Sequence, residues 1–384
     1  MIQGYAIRKA GGFTMIELLV ALAISMFVIA GTTTLFAQLF SQYKRESRVA
    51  QTDIGSALGL DYLRKDIQSA GYGLPWDVSG LAYNEYVGGD SNAAAANDAG
   101  NPPRAVVALN NAGQFNSDYL VIKSVSVPVN NMGAGKTEML QSTGPRTWVD
   151  PSGNETPAAG DWVIVLSSDN TLVLGGGQFS TQFNNLGNFE PTDPSQVYMV
   201  YDVATPTPGD PLPTGPSMPF NRADYFITPH SGNIPASGTC PAASIQVPAR
   251  CNANTGELVK AVLNQTSGCF DYYPIVDCAA DMQVTFELAG GGIIDAGAEQ
   301  AQGLTAAQIR QQTGGVGGIE EIRVFVLAQE GQMDPNYTFP AAQDPIQVGD
   351  PGLGDQHQVA NNNQQHYRWK VYTVIEKPFN LGVQ

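Results

Sequence analysis

Charge is scarce in this chain of 384 residues, and what there is leans one way. Charged side chains make up 14%, with 35 acidic against 19 basic residues and a net charge of −16. A surface that acidic repels phosphate backbones, and no local basic patch offsets it, so direct nucleic-acid contact is not expected. Histidine is nearly absent: His230, His357 and His366 sit singly in strand-like or loop-like contexts. No serine-elbow pattern accompanies them, which leaves a nucleophile–base pair without a basis in the sequence. Gly133-Ala134-Gly135-Lys136-Thr137 resembles the end of a phosphate-binding loop. A full loop needs glycine where Asn130 stands, and Gly144-Pro145 blocks the helix that must follow, so a surface turn is the better reading. Neither an enzymatic activity nor a cofactor is expected.

Cysteine is also sparse. Cys240, Cys251, Cys269 and Cys278 are separated by ten, seventeen and eight residues, and no pair has the spacing of a zinc knuckle. An even number in an exported protein reads as two disulfides, each worth about 2–4 kcal/mol. Three connectivities are open; loop closure favours Cys240–Cys251 with Cys269–Cys278. Asp344, Asp350 and Asp355 with interleaved glycines are weak calcium candidates. Their spacing matches no strict calcium loop, and solvated acidic turns are the simpler reading, so no metal is expected.

Long hydrophobic runs are limited to one, from Phe13 to about Phe40, with a nearly uninterrupted core from Leu18 to Ala30. From Leu18 to Phe40 is about 23 residues, enough for one helical span of a bilayer. Later segments alternate apolar and polar residues and cannot span. Three readings compete. A cleaved secretory signal would use Arg8 and Lys9 as its positive region and Val28-Ile29-Ala30 as its cleavage site. A permanent anchor would keep everything. A third kind of segment is cut before the apolar run and retains it. Glu17 discriminates, because a carboxylate inside the run costs about 2.5–3.5 kcal/mol in a membrane and calls for a partner. Charge does not fix topology: Arg8 and Lys9 precede the run, whereas Lys44, Arg45 and Arg48 follow it.

Gly11-Gly12-Phe13-Thr14-Met15-Ile16-Glu17-Leu18-Leu19 resembles the signal of type IV prepilins. In that family a prepilin peptidase cuts after the glycine and methylates the new N-terminal phenylalanine. The resemblance therefore implies cleavage between Gly12 and Phe13, N-methylation of Phe13, and pairing of Glu17 with the amine of a neighbouring subunit. Loss of the leader would take the net charge from −16 to −18. Physically, Gly12 lets the backbone enter a protease cleft unhindered, and a buried Glu17–amine pair would fix the register between subunits.

Beyond the apolar run the chain stays free of proline to Ala70. Ile54, Leu58 and Tyr62 form one apolar stripe and Leu60, Leu63 and Ile67 a second, which predicts a helix buried over a wide face. Gly71-Tyr72-Gly73-Leu74-Pro75 supplies the stop. A helix over about 13–70 would be roughly 87 Å long. Gly31 followed by Thr32, Thr33 and Thr34 is its weak point, where many major pilins carry a proline, but a continuous helix is expected. Tyr62-Leu63-Arg64-Lys65-Asp66-Ile67-Gln68-Ser69-Ala70-Gly71-Tyr72 resembles the same region of PilW-type minor pilins; Arg64, Lys65 and Asp66 read as a solvated helix face.

Residues 77–116 show little periodicity and read as irregular surface or loop. Strand signals follow at 118–129, at 162–167 paired with 171–174 across Ser168-Asp169-Asn170, and at 196–203 and 223–228. Thr205–Pro219, rich in proline, reads as an extended loop. Near the C-terminus, strands are expected at 281–288, 319–328 and 366–375, with a short helix near 305–312. This order resembles PilW-type minor pilins and their pseudopilin J relatives, over the first 75 and roughly the last 105 residues. The expected fold is α+β: a long N-terminal helix packed on an antiparallel sheet with large loops and two disulfides. The expected organisation is a leader at 1–12, a helix at 13–75 whose first part crosses the membrane, and a β-rich head at 76–384. The resemblance implies a minor pilin at the tip of a type IV pilus, priming assembly and presenting adhesive loops. Its implied partners are other minor and major pilins, prepilin peptidase and the inner-membrane assembly platform. A minor pseudopilin of type II secretion is the alternative, and a membrane-anchored periplasmic binding protein or enzyme a more distant one.

Overall fold

The computed structural model describes residues 12–127, 137–141, 144–147, 157–193, 195–204, 215–288, 291–298, 318–359 and 364–381. The phosphate-loop-like segment, most of the proline-rich loop and the helix expected near 305–312 lie wholly or largely outside these residues.

One helix, α1 (Met15–Ser69), dominates the N-terminal part. Its 55 residues correspond to about 82 Å at 1.5 Å per residue. It runs unbroken through Gly31 and the three threonines. Thr32 donates to the carbonyl of Val28 (2.9 Å), Thr33 to that of Ile29 (2.7 Å) and Thr34 to that of Ala30 (3.1 Å). Hydroxyls satisfied by their own helix need no water, so the threonines are compatible with an apolar setting. Gly71 (φ 79°) and Gly73 (φ 69°) adopt the left-handed conformation that ends the helix.

Among the described residues, α1 is exposed up to Lys44, and from Arg45 onward it lies on the head. Leu60, Leu63 and Ile67 are buried there with Ser56, Gly59 and Asp66. The other stripe does not pack: Ile54 is 61%, Leu58 65% and Tyr62 46% exposed. The expectation of a helix buried on two stripes is thus corrected, because the sheet covers one side only. Gly59 sets the approach. A Cβ there would stand 1.7 Å from the carbonyl oxygen of Ile275, so only glycine allows the helix this close to the sheet.

After a one-turn helix, α2 (Ser91–Ala95), the head is built of strands. In chain order they are β1 (Val106–Leu109), β2 (Tyr119–Ser124), β3 (Thr137–Gln141), β4 (Gly144–Thr147), β5 (Trp162–Leu166) and β6 (Ser180–Gln182). Then come β7 (Val197–Ala204), β8 (Asn221–Ile227), β9 (Asn233–Ile234), β10 (Ala243–Ser244), β11 (Gly256–Leu263) and β12 (Phe270–Leu288). The last are β13 (Ile293–Asp295), β14 (Ile319–Glu330), β15 (Ile346–Val348), β16 (Asp355–His357) and β17 (Arg368–Glu376). The main sheet has the order β1-β2-β8-β11-β12-β14-β17, with β13 on β12; a second sheet has the order β4-β3-β7-β5-β6. Every ladder in both is antiparallel. Alternation along β5 feeds two cores: Ile164 and Leu166 join the main core, whereas Val163 and Val165 pack with Leu186 and Phe189.

The strands expected at 281–288, 319–328 and 366–375 are the ends or bodies of β12, β14 and β17. Residues 171–174 fold back on β5 through Ser167 N to Thr171 O (3.0 Å) and Val173 N to Val165 O (2.9 Å). Segment 77–116 is corrected. It holds α2 and the edge strand β1 and is packed, with Tyr83, Tyr86, Ala93 and Ala96 in the main core and the Glu85 side chain enclosed.

The disulfides are Cys240–Cys269 and Cys251–Cys278, not the short-loop pairs. Closing the longer loops costs only about 1 kcal/mol more each, since closure entropy grows as the logarithm of length. Sheet register decides instead: Gly256 faces Ala279 on the paired strands β11 and β12, which brings Cys251 to Cys278.

Candidate assembly site

Thr14 caps α1 with extended dihedrals (φ −75°, ψ 150°). Its hydroxyl oxygen accepts from the Glu17 amide (3.3 Å), while the Glu17 carboxylate accepts from the Thr14 amide and hydroxyl (2.9 Å each). This is a capping box, and it places a negative charge on the positive end of the helix dipole. Glu17 therefore has partners within its own chain. The sequence reading missed Thr14, although Thr-x-x-Glu ahead of an apolar run was the signal.

Phe13 and Met15, both 87% exposed, begin an uncovered apolar surface that continues to Phe40. Among the described residues, α1 is the single helix long and apolar enough to cross a membrane, and none of its apolar window is buried against the chain. Among the described residues nothing crowds Gly12: a Cβ there would meet nothing within 4 Å. A glycine the fold does not require fits a requirement imposed from outside.

At the other end of α1 a row of ion pairs clamps helix to head. Arg45 meets Asp334 (2.9 Å), Asp53 meets Lys370 and the Tyr372 hydroxyl, and Arg64 meets Glu376 (2.7 Å), which also accepts from Gln68. Lys370 holds the Asp53 carboxyl below its usual range. The innermost pair is different in kind. Asp66 is 5% exposed and accepts from Lys260 Nζ and the Tyr225 hydroxyl, both at 2.6 Å. Burial pushes the Asp66 carboxyl up, with Lys260 and Tyr225 pulling the other way. The solvated-face reading of Arg64 and Asp66 is thereby corrected, while Lys65 does stay exposed, paired with Asp61 (2.9 Å).

The acidic turns do not converge on a metal. Asp350 accepts from Thr285 (2.6 Å) and pairs with Arg323 (3.3 Å). Asp344 accepts from the Val359 amide (2.9 Å) and Asp355 from the Gln356 amide (2.7 Å). Among the described residues no group of three or more His, Cys, Asp or Glu is arranged to hold a metal ion.

Residues 7–33 match the family described as "Prokaryotic N-terminal methylation motif", a stretch that holds Gly12, Phe13, the capping box and α1 as far as Thr33. The chain carries the N-terminal methylation motif, the signal of type IV prepilins. No curated protein matches this chain. Among solved structures it is similar to a type IV-like pilin, TTHA1219, from Thermus thermophilus, with 10% identity and a TM-score of 0.23. That alignment covers 43% of this chain and 70% of the other, and a likeness so slight bears on neither fold nor function.

Proposed function

We propose that this protein is a minor pilin, a filament subunit that works by assembly and not by catalysis. Cut after Gly12 and N-methylated at Phe13, the mature chain would keep α1 whole, with the head beginning near residue 76. The observation that carries the reading is the division of α1. Its signal-bearing half is apolar and unpartnered, and its other half is fixed to the head by Gly59, the buried stripe and the ion pairs. Such a helix can sit in a membrane while the precursor waits and then exchange lipid for neighbouring helices in a fibre. In the fibre, Glu17 would accept the cationic amine of an adjacent Phe13, a stronger partner than the Thr14 donors it releases.

Within that reading, prepilin peptidase, an inner-membrane platform and other minor and major pilins are the partners. The precursor stands in the inner membrane with its head outside the cytoplasm, and the product lies on the cell surface. A large head with long loops suits a filament tip, where it can prime assembly and contact surfaces, better than a closely repeated shaft. Mass spectrometry of the N-terminal peptide from sheared surface filaments tests this. N-methylated Phe13 in that fraction is the expected result. The processed peptide in membranes alone would favour a secretion pseudopilin, and a chain beginning at Met1 or Gly31 would overturn the pilin reading.

A further inference from the structure

The main sheet has a second face whose side chains α1 does not use. Tyr225 and Lys260 reach Asp66 on the helix side, so by alternation Phe226 points the other way. On that far side Tyr86, Tyr119, Phe226, Phe270 and Tyr272 line a cavity of about 220 Å³. Tyr119 stacks on Phe226 (centroids 5.2 Å apart, planes within 8°) and Tyr86 on Phe270 (4.9 Å, 19°). Tyr272 stands at 88° to Phe226. The rings are braced in pairs and offer flat walls. The remaining side is the chain around Ile234 to Pro241, pinned to the start of β12 by the Cys240–Cys269 bridge.

The polar groups define the ligand. Among the described residues of the lining, Asp90 is the one charged side chain, accompanied by Asn92, Gln114 and Ser237. An anion would meet Asp90 and, among the described residues of the lining, no cation. A cationic ligand gains less here, because the Phe270 ring is already engaged by a cation. The Arg222 guanidinium lies 5.8 Å from the centre of the Phe270 ring, held by Asp224 (2.7 Å) and Glu85 (3.1 Å). What remains is a neutral ring with apolar C–H faces for the aromatic walls and hydroxyls for the amide, carboxylate and serine groups. We propose that this cavity binds a neutral pyranose residue of a glycan. This inference does not depend on the chain's place in a filament.

The test is a glycan array probed with the full chain in a detergent that has no sugar headgroup, with free choline and trimethyllysine as competitors. Binding to neutral hexose-terminated glycans is expected. Tyr272→Ala should weaken it about tenfold or more, as loss of a ring-stacking contact does, while Tyr272→Phe keeps most of it. Should Tyr272→Ala fail to fold, Gln114→Ala, at an exposed position, should still weaken binding about threefold by removing a hydroxyl partner. Absence of glycan binding, binding untouched by these variants, preference for acidic glycans, or displacement by choline or trimethyllysine would each overturn the proposal.

Discussion

Asp66→Ala is the most informative single change at the junction of helix and head. Asp66 and Lys260, 5% and 2% exposed, face each other with the Tyr225 hydroxyl as third member. Deleting the carboxylate leaves an ammonium in a dry site with nothing to neutralise it, at a cost of about 3–5 kcal/mol. Deleting the whole pair is a different perturbation. Desolvating two ions roughly cancels their attraction, so Asp66→Leu with Lys260→Met should recover most of the loss. It would still strand the Tyr225 hydroxyl, worth about 1–3 kcal/mol; adding Tyr225→Phe should bring the triple variant within about 1 kcal/mol of the parent. Urea unfolding of the full chain in detergent, followed by aromatic fluorescence, gives the four stabilities. Limited proteolysis near Ser69 reports whether α1 has lifted off. A loss below about 1 kcal/mol for Asp66→Ala, or a triple variant no better than the single, would refute the account of this site as a desolvated ion pair.

Thr14→Ala should remove only the helix cap, about 1 kcal/mol, and leave incorporation into filaments intact. Glu17→Ala should be processed yet fail to assemble; equal assembly of both variants would reduce Glu17 to a capping residue. Gly59→Ala drives a Cβ into the Ile275 carbonyl and should cost about 3 kcal/mol or more, since backbone cannot yield as a side chain does, visible as protease sensitivity along 45–69. Unreduced tryptic digestion should hold peptides 223–250, 251–260 and 261–310 together through both disulfides, whereas short-loop pairing would release 261–310 on its own. Burial, and then Asp277, push the Glu257 carboxyl up to about 9. The folded chain thus keeps a proton that the unfolded chain gives up near the usual carboxylate pKa, so stability falls as pH rises towards 9. Asp118 and Asp281, raised by burial to about 7, add to the fall only below that. Glu257→Gln should flatten the Tm-against-pH curve between 7 and 9, and an unchanged slope would count against a protonated Glu257.

Much of this molecule could be read from its residues because one signal is local. The methylation motif, the apolar run, the glycine stop and the alternating strands near the C-terminus all declare themselves over short stretches of contiguous sequence. What escaped depends on partners far along the chain. Lys123, Arg222 and Glu85 look like surface charges, yet all are buried and matched to one another, which only the fold can arrange. Strand β11 escaped for the same reason, since Glu257 and Lys260 within it are both buried. Ile54, Leu58 and Tyr62 mark the opposite error: spacing predicted an apolar face without saying what would cover it. Gly12 and Thr14 stand between these cases, legible as motif but explained only by the absence of internal contacts at one and the hydrogen bonds of the other.

The clamp between α1 and the head also has a bearing on timing. The groups that grip the helix belong to β11 (Lys260), β12 (Ile275), the turn after β14 (Asp334) and β17 (Lys370, Tyr372, Glu376), and Phe379 N reaches the carbonyl of Gln68 (3.0 Å). The first segment synthesised must therefore wait for the last. Closure of a loop of some three hundred residues is slow compared with local folding. Until the final strand has joined the sheet, α1 has no complete docking face on the head. A chain cut short of β17 would lack Lys370, Tyr372 and Glu376, and its helix would lose that part of the clamp.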